Sequence, residues 1–252
     1  MKKKIINTCL LVILIACLSF KITTENGFKA AQLNNKRVKK AYEKKWANLQ
    51  TQLESKKIDK ANFELYFRVF KLEKEFEVWA KNKADLKFTL LKKIAICASS
   101  GELGPKRKQG DYQVPEGFYE VATFNPNSNY YLAMKINYPN QSDRLKKTAT
   151  DAGGDIMIHG NCVTIGCIPL EDGPIEDIYI LAVEAKNRKL TTQLAIYPCR
   201  FNEKNNAMLL KNFDLEKNKF WETLKKPCAH FEKSNTLPKI SVSKIGDYIF
   251  NE

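Results

Sequence analysis

The chain has 252 residues, of which 44% are hydrophobic, and a formal net charge of +14. That length and apolar content suffice for a sizeable core, in one large domain or two small ones, so most of the chain should fold. The charge suggests an anionic partner, whether nucleic acid, anionic lipid or a carboxylate-rich cell wall, while each lysine run taken alone reads as a solvated surface. Nothing supports the first of these, because the sequence has neither paired Cys/His zinc spacing nor an RNP-like aromatic pattern.

Lys2, Lys3 and Lys4 precede an almost wholly apolar run from Ile5 to Phe20. This is the layout of an export signal, and it is short for a membrane-spanning helix. Residues 1–20 are therefore read as addressing, and the fold is expected after about residue 30. Leu14-Ile15-Ala16-Cys17 also resembles a bacterial lipobox, in which Cys17 would be lipidated. Leu18 and Phe20 extend the apolar stretch past that cysteine, which equally fits an uncleaved anchor. Export changes the reading of the cysteines, because thiols outside the cytoplasm tend to pair. Cys97, Cys162, Cys167, Cys199 and Cys228 remain once Cys9 and Cys17 are set aside. Their odd number leaves at least one without a partner in the chain.

Val38, Tyr42, Leu49 and Leu53 recur at helical spacing and predict an amphipathic helix over 36–55, within an N-terminal helical segment at 30–60. Asn62–Phe70 and Phe76–Ala80 alternate around a charged turn and predict a β-hairpin. Further strands are expected at Leu86–Leu91, Ile94–Ala98, Phe118–Phe124, Tyr130–Ile136, Asp155–Ile158 and Leu194–Tyr197. The Gly-, Pro- and Lys-rich loop from Ser99 to Gly117 has the length of one that shapes a site. Pro174–Asn187 predicts a helix with Pro174 in its first position and Glu176 and Asp177 at its positive end. Residues 202–252 predict a polar helical excursion at 203–226 and a return to strand-like alternation from Pro238. The fold class is mostly β with peripheral helices.

The stretch Gly154–Leu170 carries the chemistry. An apolar strand delivers His159 and Gly160, and Gly166-Cys167 follows. A thiol becomes a strong nucleophile only when a base takes its proton, and a neighbouring imidazole lowers its effective pKa and holds that proton. A glycine before the nucleophile permits a tight turn and exposes N–H groups to a developing oxyanion. The chain has two histidines, and His159 is the one embedded in glycines, so Cys167 with His159 is the expected catalytic pair. Cys162 reads as an alternative nucleophile, a disulfide partner or a small core residue, with a structural role favoured because no glycine precedes it. No cofactor or metal is called for.

His159-Gly160 followed by Thr164-Ile165-Gly166-Cys167-Ile168 resembles the signature of the L,D-transpeptidase catalytic domain of the YkuD type. Val114-Pro115-Glu116-Gly117-Phe118-Tyr119 is similar to another segment of that family. Ile96–Gly101, Gly104–Arg107, Asn137–Asn140 and His159–Cys167 look like blocks of its YafK-like branch, and the resemblance spans about residues 36–201. It implies a β-sandwich-like catalytic domain at 61–201, in which a Cys167 thiolate attacks the L-centre carbonyl of meso-diaminopimelate in a peptidoglycan stem peptide. The thioester would be resolved by an amine or by water, and the branch is associated with hydrolysis that releases wall-attached protein. The resemblance makes the Gly166 and Cys167 amides oxyanion donors and puts Tyr138, Gly160 and Asn161 in the substrate cleft. A backbone carbonyl or the Thr164 hydroxyl would orient the imidazole.

Two departures favour water over an amine acceptor. Pro169 stands where the family usually has arginine, and only five residues separate His159-Gly160 from Gly166-Cys167. Two other functions compete with an acyl-transfer enzyme. One is a non-catalytic wall-binding envelope protein; the other is a thiol oxidoreductase using Cys162 and Cys167, whose four-residue gap is not that of redox motifs. The membrane would be met only through the N-terminal signal or lipid anchor, in the periplasm or cell envelope.

Overall fold

The computed structural model describes residues 27–251; the expected export signal and Cys17 lie outside the described residues. The described part opens with a short helix α1 (Phe28–Leu33) and the long helix α2 (Lys36–Ser55). The Asn35 side chain caps α2 by accepting from the Arg37 and Val38 N–H groups, which have no partner within the helix. Val38, Ala41, Tyr42, Leu49 and Leu53 form its buried stripe, the spacing that the sequence predicted.

Strands β1 (Phe63–Phe70) and β2 (Glu75–Asn82) form the expected hairpin, with Phe67 opposite Val78. β3 (Thr89–Ala95) extends it, so the two expected runs at 86–91 and 94–98 are one strand. β4 (Gly117–Ser128), β5 (Tyr131–Ile136), β6 (Met157–His159), β7 (Ile168–Pro169) and β8 (Gln193–Tyr197) complete a sheet ordered β3-β2-β1-β8-β4-β5-β6-β7. β8 lies parallel to β1 and antiparallel to β4. Strand β4 serves both halves of the curled sheet. Its first residues pair with β8, and the rest pair with β5 through two register shifts.

Helix α3 (Gln141–Lys146) has no counterpart in the sequence reading, though its capping box of Asn140 and Asp143 was legible. Helix α4 (Asp172–Asn187) begins two residues earlier than expected. Pro174 is thus its third residue, still in the first turn, where no intrahelical donor is lost. Packed between α2 and the sheet, α4 is buried along almost all its length and belongs to the main core with Ile158, Ile168 and Leu170.

Helices α5 (Glu203–Asn212) and α6 (Leu215–Ser234) occupy the polar helical excursion, and β9 (Lys239–Val242) and β10 (Tyr248–Asn251) form a terminal hairpin. α6 covers the second face of the sheet. Phe63, Leu65, Phe67 and Val69 face the main core, whereas Tyr66 and Phe70 join Tyr197, Trp221 and Phe231 in a second one. Arg68 is buried there too, paired with Glu77 at 3.2 Å and Glu232 at 3.1 Å and stacked between Phe70 and Phe231. Both faces of β1 are therefore covered, although its sequence alternates as if one met water.

Candidate active site

The strand pair β6–β7 sets the site. His159 ends β6 and aligns with Pro169, while Cys167 immediately precedes β7. The imidazole and the thiol line one cleft of about 380 Å³. A larger groove of about 750 Å³ beneath the β9–β10 hairpin is lined by neither histidine nor cysteine.

His159 is 1% exposed, and its Nδ1 lies 2.6 Å from the Gly160 carbonyl oxygen. A carbonyl can only accept, so Nδ1 carries the proton and Nε2 is left as the basic nitrogen. Of the two orienters considered from the sequence, the backbone carbonyl holds the ring. The Thr164 hydroxyl does not: it donates to the Cys167 carbonyl at 2.9 Å and accepts from the Gly166 N–H at 3.1 Å. The Gly166 N–H is thereby engaged within the loop rather than offered to an oxyanion, which corrects that expectation. Gly166 is needed for another reason. Its φ of +136° disfavours other residues, and a Cβ would sit 3.1 Å from the Gln113 carbonyl oxygen.

Cys167 is half-buried, its Sγ 3.7 Å from the Asp155 carbonyl oxygen. Burial pushes its thiol up, opposed by the Met157 N–H and by the charge of Lys106. Burial also holds His159 below the ordinary imidazole value. Both effects favour the neutral forms, a thiol and an imidazole, and so oppose the low-pKa thiol expected from the sequence. Among the described residues no hydrogen bond joins Sγ to the ring.

The remaining expected cleft residues lie elsewhere. Tyr138 is buried, its hydroxyl donating to the Ala152 carbonyl at 2.8 Å; it ties the loop before β6 to the core and does not line the cleft. At Gly160 an added Cβ would come within 2.7 Å of Asp172, and the Asn161 N–H donates to that carboxylate at 3.0 Å. Both are turn residues anchored on the start of α4, and Asn161 faces a separate hollow beside Arg37. Cys162 is bonded to Cys97, which excludes it as a nucleophile in this state and fixes its favoured structural role. Cys199 and Cys228 are free and buried, with thiols pushed up to about 12 by burial.

The sequence reading missed several cleft residues. The Tyr130 ring lies 4.8 Å from the His159 ring, tilted by 30°. The 99–117 loop contributes Lys106, Gln109, Gly110 and Tyr112 to the wall. Lys106 falls in the Gly104–Arg107 block of the sequence, but only the fold brings it to the cleft that Cys167 lines. Ile165, 74% exposed, gives the cleft an apolar edge.

Residues 65–187 match the family model described as YkuD, L,D-transpeptidase catalytic domain. The Escherichia coli (strain K12) protein named "Putative L,D-transpeptidase YafK" is 35% identical over 191 residues, covering 75% of this chain and 74% of the relative. The chain belongs to the L,D-transpeptidase catalytic-domain family. Among solved structures, the helical cell shape determining protein Pgp2 from Campylobacter jejuni is 19% identical, with 77% of this chain and 80% of that chain covered at a TM-score of 0.45. Bd1075 of Bdellovibrio bacteriovorus is 18% identical, with 74% and 79% covered at a TM-score of 0.40. Within this L,D-transpeptidase domain, the family segment Val114–Tyr119 has a structural task. Glu116, fully buried, pairs with Lys71 at 2.9 Å and accepts from Trp221 at 2.7 Å and from the Gly104 N–H at 2.8 Å. This network pins the cleft-forming loop to the second core.

Proposed function

We propose that the protein is an exported cell-wall enzyme that opens an amide bond in peptidoglycan stem peptides through a Cys167 thioester. The observation that carries this reading is the shared cleft lined by Cys167 and by His159, whose Nδ1 is turned to the Gly160 carbonyl and so leaves Nε2 as the basic nitrogen. As the thiol attacks the carbonyl at the L-centre of meso-diaminopimelate, its proton passes to Nε2 and a tetrahedral oxyanion forms. Nε2 then returns the proton to the departing amine as the C–N bond breaks. Water, deprotonated by the same nitrogen, attacks the thioester, giving a carboxylate and the free thiol.

The Cys97–Cys162 bond supports export, since disulfides persist in oxidising compartments. So do Lys2–Lys4 and the apolar run behind them. No helix among the described residues is long and apolar enough to cross a membrane. The short His159–Cys167 loop, with Pro169 in place of a cation, favours water over a second stem peptide as acceptor. Purified sacculi incubated with the protein in heavy-oxygen water are expected to take label into newly freed diaminopimelate carboxyls, and Cys167→Ala should release nothing. Products dominated by unlabelled diaminopimelate-to-diaminopimelate dimers would make the enzyme a cross-linking transpeptidase instead.

A further inference from the structure

Lys106 is the one cationic side chain lining the Cys167 cleft among the described residues, and it is only 4% exposed. A buried ammonium is costly unless each of its charges and donors is met. Its Nζ donates to Asp111 and, at 2.9 Å, to the Lys108 carbonyl. An ammonium has three donors, so one has no partner among the described residues.

The cradle is built rather than incidental. Asp111 also accepts from the N–H groups of Arg107 at 2.9 Å, Lys108 at 3.1 Å and Gln113 at 3.1 Å. Although burial opposes it, these bonds and Lys106 hold the Asp111 carboxyl below its ordinary value. The loop is thus wound around one carboxylate that fixes one cation, in the same cleft that the Cys167 thiol lines. The rest of the lining is mostly apolar, with Ile156, Met157 and Ile165. The only carboxylate lining the cleft among the described residues, Asp155, is exposed and already paired with Lys135 at 2.6 Å. A mostly apolar cleft orients a ligand through its few fixed polar groups, and Lys106 is the cationic one here.

We propose that Lys106 is a specificity-determining residue that receives a free carboxylate of the acyl-donor peptide beside the scissile amide. This rests on the acyl-transfer reading above for the identity of the ligand, but binding can be tested without turnover. In a Cys167→Ala background, calorimetry should compare a diaminopimelate-containing stem tetrapeptide with the same peptide whose carboxylates are carboxamides. A hydrogen bond between charged groups predicts that Lys106→Met weakens binding of the free-carboxylate peptide about 10- to 100-fold. The carboxamide peptide should bind equally well with and without the Lys106→Met substitution, and Lys106→Arg should recover part of the lost affinity. Equal weakening of both peptides would mean that Lys106 only shapes the loop, and would overturn the proposal. If Lys106→Met does not fold, the peptide pair on the Lys106 protein decides alone, and a difference of less than about twofold refutes the carboxylate contact. An absence of turnover by the Cys167 protein would sink the proposed reaction while leaving charge-dependent binding intact.

Discussion

Removing the Cys97–Cys162 disulfide perturbs stability and the site together. The bond joins residues 65 apart, tying the loop between His159 and Cys167 to the end of β3. In the chain-entropy model a closed loop of that length restrains the unfolded chain by about 4 kcal/mol. For a domain of this size each kcal/mol moves Tm by about 2–4 °C, so the Cys97→Ser/Cys162→Ser variant should melt about 8–16 °C lower. Beside the bond, the Cys97 N–H donates to the Pro169 carbonyl at 3.2 Å, immediately past the nucleophile's loop. Loss of the covalent tie should therefore also disturb the placement of Cys167 against His159 and lower kcat. The assay is thermal unfolding by circular dichroism, with and without reductant, followed by turnover on sacculi. Reductant should lower the Tm of the parent protein to that of the double variant and leave the variant unchanged. A parent Tm indifferent to reductant, or maleimide labelling of Cys162 before reduction, would refute the pairing and the argument built on it.

Three further outcomes follow from the site and its supports. If the resting pair is neutral, iodoacetamide labelling of Cys167 should keep accelerating past the ordinary thiol pKa rather than level off in mildly acidic solution. Turnover should fall on the acid side only below the ordinary imidazole value, because burial holds His159 down and protonation removes the base; a labelling plateau in acid would indicate a pre-formed ion pair. Lys71→Met strands the buried Glu116 carboxylate and should cost about 3–5 kcal/mol in denaturant unfolding, whereas a cost below about 1 kcal/mol would deny the network its anchoring task. Tyr138→Phe should lose about 1 kcal/mol of stability with KM unchanged, since its hydroxyl serves the Ala152 carbonyl; a raised KM would return Tyr138 to the substrate cleft.

Features set by neighbours along the chain were legible before any fold was known. The 3.6-residue spacing of Val38, Tyr42, Leu49 and Leu53 and the alternation of Phe63 to Val69 predict α2 and β1 because each element must turn one face to a core. The short β6–loop–β7 segment likewise marked His159 and Cys167, which are close in sequence and remain close in space. Contacts across sequence distance were decided only by the tertiary structure. Nothing local pairs Cys97 with Cys162, inserts β8 between β1 and β4, or brings α6 over the second face of β1 to bury Arg68. The same holds within the site. Hydrogen-bond partners decide whether Thr164 orients the imidazole or closes its own loop, and which way Tyr138 and Lys106 point. Burial, a property of the whole packed molecule, pushes the thiol up and the imidazole down, against the low-pKa thiol that the sequence motif by itself suggested.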